Sequence, residues 1–166
     1  MPDRFDREFS LALKAALNCA RRHGALELGG EHLLVGLAEV PSRAASTLAA
    51  QGVDAARLED AVFRGAHDAR LLAGLGIDLA AVRRQVGDRL TTRWRTRRPH
   101  FRTDAKLAIE ASRQEMRALG TRRIRSEHLL LGLLDASVAA RELLLALGID
   151  PIALRATVLR AMADGG

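Results

Sequence analysis

Apolar residues recur at helical spacing along most of the chain. Leu13, Ala16, Leu17 and Ala20 mark one face of a segment over 7–23. Gly24 follows it, where a helix end favours a left-handed residue. Short apolar stretches follow over 31–39, 42–51 and 55–64. Gly52 ends the third of these, and Asp54 is placed to cap the fourth. Alternation with period two is rare, so strands are not expected. The pattern predicts an all-α protein.

The same pattern then returns. Phe5, Gly24, Glu31, His32, Leu33, Leu34, Gly36 and Leu37 match Phe101, Gly120, Glu127, His128, Leu129, Leu130, Gly132 and Leu133, each 96 positions on. Leu48, Gly52, Asp54, Leu58 and Val62 match Leu144, Gly148, Asp150, Leu154 and Val158 without a gap. A whole module has been duplicated. The second copy predicts helices over 103–119, 127–135, 138–147 and 151–162. Ser126 is an N-cap by residue type, Gly30 a weaker one, and Pro151 suits a first helical position. Repeat one spans 5–64 and repeat two 101–163. Each is too small for an ample core, so the pair is expected to pack about a pseudo-twofold axis as one domain.

Residues 65–100 separate the repeats. Within them, LLAGLGIDLAAVRRQVG (71–87) repeats the end of the third helix and the fourth: Leu72, Gly76, Asp78, Val82 and Val86 follow Leu48, Gly52, Asp54, Leu58 and Val62. The next stretch, RLTTRWRTRRPHFR (89–102), has no apolar face and reads as an exposed basic linker.

Composition adds constraints. Of 166 residues, 48% are hydrophobic but only 3% aromatic, which suits helices rich in Ala and Leu. The net charge of +6 makes anionic partners plausible without naming one. The single cysteine, Cys19, cannot form an internal disulfide and reads as a buried, inert thiol in a reducing compartment. The N-terminal MPDRFDREFS has no signal-peptide core, and no apolar run approaches the ~20 residues that span a bilayer. A cytoplasmic protein without membrane association is expected.

Two phrases, twice in register, carry a family resemblance: GEHLLVGL and SEHLLLGL, then the L-x-x-x-G-(V/I)-D ending. The chain resembles the Clp repeat, which in tandem forms the N-terminal domain of ClpA/ClpC-type AAA+ unfoldases. The resemblance covers 5–64 and 101–163, and the longer middle segment is similar to free-standing members of the family. It implies a module that docks adaptors or substrate proteins for the unfoldase. No G-x-x-x-x-G-K-(S/T) phosphate loop occurs, so ATPase activity, or any enzyme activity, is not expected, and neither is a cofactor.

The resemblance also implies pockets for phosphorylated arginine. Glu31 and Glu127 match the family's guanidinium-binding glutamates, a role suited to a carboxylate's bidentate geometry. The family's phosphate-binding threonine is replaced by Asp6 in one copy and Arg102 in the other. Its basic partner is kept as Lys106 but replaced by Ser10. Taken copy by copy, Glu127, Arg102 and Lys106 are expected to form the better pocket, and Asp6 to spoil the one at Glu31. The plainer alternative is that each glutamate only complements the positive end of its helix. His32 and His128 read as core hydrogen-bonding residues. His23, His32, His67, His100 and His128 show no metal-ligand spacing, so no metal is expected.

Two other functions stay open. Arg83, Arg84, Arg89, Arg93, Arg95, Arg97, Arg98 and Arg102, with Trp94 among them, could bind nucleic acid. Apolar groove residues could instead serve self-association. Neither the oligomeric state nor the partner is fixed by the sequence.

Overall fold

The computed structural model describes residues 5–23, 25–64 and 100–164, with side chains 63 and 64 excepted. The partial third copy, Trp94, Gly24 and most of the basic stretch lie outside these residues.

Among the described residues, repeat one holds α1 (Arg7–Arg22), α2 (Gly30–Glu39), α3 (Arg43–Ala50) and α4 (Ala55–Arg64). Repeat two holds α5 (Thr103–Ala118), α6 (Ser126–Ala136), α7 (Val138–Ala146) and α8 (Pro151–Ala163). The expected all-α architecture is what forms. Side-chain caps start several of these helices: Asp6 on Phe9 N–H, Ser42 on Ala45, Ser137 on Ala140, Asp150 on Ile152. Gly52, Gly120 and Gly148 take φ of 74°, 65° and 80° just past their helices, the left-handed turn that stops them. Ser126 departs from expectation. Its hydroxyl does not cap α6; Arg125 holds the cap position, and Ser126 is the first helical residue.

Within each repeat the first two helices cross without a side chain between them. A Cβ on Gly36 would lie 2.4 Å from Ala12 O, and one on Gly132 would lie 2.3 Å from Ala108 O. This close approach is what the glycine in each EHLL-x-GL phrase provides. The leucines on either side are buried, and one apolar core runs through both repeats, from Phe9, Leu33, Leu34 and Leu48 to Leu129, Leu130, Leu144 and Val158.

The halves also exchange backbone. Phe5 forms a bridge with Ile124, and β1 (Glu27–Leu28) pairs in parallel with β2 (His100–Phe101). Asp6 N–H donates to Ile124 O and Arg102 N–H to Leu28 O, both at 2.9 Å. Since Phe5 matches Phe101 and Leu28 matches Ile124, these are one interaction made twice across the pseudo-twofold. These small pairings were not expected from the sequence. They make 100–102 an ordered part of the second repeat, whereas the sequence pattern predicts exposed linker there. Helix packing follows the same exchange, with α3 on α8 and α4 on α7.

Candidate functional site

The twofold exchange places the start of each repeat's first helix beside the second helix of the other repeat. Two related sites result, each built from both repeats. The first gathers Glu31 and the Gly29–Gly30 backbone of repeat one with Arg102, Asp104 and Ser137 of repeat two. The second gathers Ser126 and Glu127 of repeat two with Asp6 and Glu8 of repeat one.

At the first site Arg102 Nη1 and Nη2 donate to the two carboxylate oxygens of Glu31 at 3.0 and 2.5 Å. Nε and Nη2 donate to Asp104 at 2.7 and 2.9 Å. One guanidinium thus forks onto two carboxylates. It lies where a Gly29 side chain would be: a Cβ there would come within 2.3 Å of Nη2. Asp104 also accepts from Gly30 N–H at 3.0 Å and from the Ser137 hydroxyl at 3.1 Å. Burial alone would raise the Asp104 pKa, but the Arg102 guanidinium, the Gly30 N–H and the Ser137 hydroxyl hold it down to about 2. The same two carboxylates push Arg102 further up, against its partial burial.

The second site keeps the carboxylates and changes the rest. The Ser126 hydroxyl lies 2.9 Å from Glu8 Oε2 and 2.9 Å from Glu127 Oε2. It has one proton, so it satisfies one of them at a time. Glu127 is 4% exposed. Arg102 has Asp6 as its counterpart here, and that carboxylate caps α1 instead. Arg125 stands where Gly29 stands in the first copy, and it is exposed.

The expected grouping of Glu127 with Arg102 and Lys106 therefore does not form. Arg102 reaches Glu31 and not Glu127, because matched positions meet across the twofold rather than within one copy. Lys106 is exposed on α5, one turn beyond Arg102. Asp6 belongs with Glu127, not with Glu31. Asp104 and Glu8 were missed by sequence reasoning. The signal was available in the alignment of the two copies, where Glu8 falls on Asp104.

His32 and His128 complete the helix starts. Their Nδ1 atoms accept the N–H of Gly29 at 3.1 Å and of Arg125 at 2.9 Å. With Nδ1 accepting, the proton sits on Nε2, which in His128 faces Thr121 Oγ1 at 3.1 Å. Burial lowers both pKa values. The adjacent Glu-His pair is thus divided in labour: the histidine caps from inside, and the glutamate faces the inter-repeat site.

A further cluster was also missed. Donor atoms of Cys19, His23 and Glu59 lie within 4.8 Å of one another. Cys19 on α1 and His23 at its C-cap are four apart, the spacing that could have flagged them. Glu59 Oε1 is already 2.5 Å from His23 Nε2 and 3.0 Å from Arg22 Nε. Burial, helped by Glu59, pushes the Cys19 thiol up to about 12, so it is protonated at neutral pH. Glu59 joins α4 to the end of α1 through its contacts with Arg22 and His23, and Cys19 sits beside them as a neutral buried thiol.

Comparison with known proteins agrees with this architecture. The Clp repeat (R) N-terminal domain model matches residues 4–69, 65–147 and 100–165. The chain belongs to this family. Chaperone protein ClpC of pea (Pisum sativum) chloroplasts is 34% identical over 167 aligned residues, covering 99% of this chain and 16% of that protein. The chloroplastic ClpC1 of Arabidopsis thaliana has the same identity and coverage. This Clp repeat chain thus spans about a sixth of the length of those relatives. Among solved structures, the N-terminal domain of ClpD from Arabidopsis thaliana aligns with a TM-score of 0.65 and 21% identity, covering 96% of this chain and 97% of that one. The Hsp104 N-terminal domain from Candida albicans gives 0.67 and 10%, covering 96% and 92%. At those identities the likeness concerns the fold. Among the described residues of the Clp repeat chain, no helix is long and apolar enough to cross a membrane.

Proposed function

We propose that this Clp repeat domain is a protein-docking module of a Clp unfoldase system, without catalytic chemistry of its own. It takes arginine side chains of substrate or adaptor proteins at the Glu127 site. A reducing, cytoplasm-like compartment suits its single buried thiol. The observation that carries the reading is the arrangement at the head of α6. Glu127 is almost wholly buried, faces Glu8 from the other repeat, and shares a single hydroxyl proton with it. A guanidinium has the donors and the charge to satisfy both carboxylates.

The charges refine the ligand. Phosphorylated arginine, implied by the family resemblance, needs cations around its phosphate. Asp6, Glu8 and Glu127 bring three carboxylates to this site against the single exposed guanidinium of Arg125 at the helix start, and Arg102 is engaged elsewhere. The Glu127 site therefore favours the unmodified guanidinium. The nucleic-acid reading loses Arg102 for the same reason, since its guanidinium is held by Glu31 and Asp104.

Titration of the chain with argininamide and with N-phosphoarginine, followed calorimetrically, tests this. Binding of argininamide that falls at least tenfold in Glu127→Gln supports the site. Equal binding by both proteins removes it. Capture of a Clp-type unfoldase, an adaptor or an arginine-rich substrate, weakened by the same substitution, tests the wider assignment.

A further inference from the structure

The two sites are copies of one design, and they differ in occupancy. Glu31 corresponds to Glu127, and Asp104 to Glu8. Among the described residues, a guanidinium spans the pair in the first copy alone, and it comes from the chain itself. Arg102 makes four charge-assisted bonds there, two to each carboxylate.

We propose that Arg102 is an internal occupant of the Glu31 site, a tethered arginine that keeps that site closed to arginine side chains from outside. This inference rests on the reading of these sites as guanidinium-binding. It gives the chain one open site in place of two.

Three observations support it. First, the contact has the chemistry of a ligand and not only of a surface ion pair. The fork on Glu31 is bidentate, and the second carboxylate takes Nε together with the same Nη2. An arriving guanidinium would need these same carboxylate oxygens. Second, the backbone is shaped for it. Gly29 leaves the space in which Nη2 lies, and any larger residue there would meet the guanidinium. Third, the tether is short and fixed. Arg102 holds the N-cap position of α5, and its N–H is bonded to Leu28 O at 2.9 Å, immediately before Gly29. A side chain held this close competes at a high effective concentration with any arginine arriving from solution. The Arg102 side chain as a whole stays 40% exposed to solvent, so the site is plugged and not sealed inside the core.

The test uses the full chain and argininamide as the probe, with calorimetry reading stoichiometry. Arg102→Gln should gain a binding event absent from the unsubstituted protein, and Arg102→Gln/Glu31→Gln should lose it again. An ion pair that served only stability would give no such gain. If Arg102→Gln binds no more argininamide than the parent, the plug is overturned. That outcome is independent of the Glu127 site, which is read separately from Glu127→Gln in the parent. Should Arg102→Gln fail to fold, nitrogen-detected NMR of the parent decides. The Arg102 Nε–H, which donates to Asp104, should exchange with solvent at least tenfold more slowly than that of the exposed Arg122, and the protection should vanish in Asp104→Ala. Exchange as fast as at Arg122 would overturn the proposal.

Discussion

At the scale of single residues, the histidine beside each glutamate has the clearest physical role. His128 must be neutral to accept the Arg125 N–H, because a proton on Nδ1 would face another proton. Burial is the larger reason for its lowered pKa, and His32 shares the arrangement. A histidine with a depressed pKa binds its proton more readily in the unfolded chain. The stability it contributes is complete above the unfolded value of about 6.5 and is lost as pH falls below it. Thermal midpoints should therefore hold steady near neutral pH and drop between about pH 6.5 and 5. His128→Gln should reduce that drop. His128→Ala should cost about 1–3 kcal/mol at neutral pH, since it leaves a helix-start N–H without its partner. An acid-side drop that is unchanged in His128→Gln would remove the histidine from this role.

At the scale of elements, the eight described helices follow the sequence pattern closely. Apolar spacing marked their faces. Gly52, Gly120 and Gly148 marked three ends, and Asp150 and Pro151 marked a start. What the pattern could not carry was which copy each helix end would touch. An internal match locates equivalent positions such as Glu31 and Glu127, but it is silent on whether partners meet within a copy or across the axis. Arg102 was therefore grouped with the wrong glutamate, and Asp104 was passed over. Asp104 joins three elements: its own α5, the first N–H of α2 through Gly30, and the Ser137 cap of α7. Its pKa is depressed to about 2, so the stability it contributes is present above the ordinary value of 3.8 and is lost as pH falls through about 2. Asp104→Asn should lower stability at neutral pH and flatten the unfolding curve's dependence on pH between about 4 and 2. Urea midpoints across that range would show it, and a parallel offset at every pH would argue that Asp104 acts by packing alone.

At the scale of the whole molecule, the duplication works as an exchange. Each repeat gives the other its opening segment: Phe5 goes to Ile124, and Phe101 to Leu28. Each also gives the carboxylate or guanidinium that faces the other's second helix. The core is shared in the same way, since buried leucines of both repeats belong to one cluster. A unit of roughly 60 residues buries only about 60% of its chain surface even when complete, which leaves a half-molecule little reserve. Separate polypeptides 5–64 and 100–164 should each be weakly helical and melt without a cooperative transition. Mixed, they should gain helix together by circular dichroism, because each supplies the other's missing pairings. The association should weaken with added salt, since the Arg102 fork onto Glu31 crosses the boundary between the halves. Arg102→Gln in the second fragment should remove most of that salt dependence while leaving the helix gain, because apolar burial is indifferent to ionic screening. If 100–164 alone melts cooperatively at the midpoint of the whole chain, the repeats are independent units, and the composite sites would be contacts between finished domains.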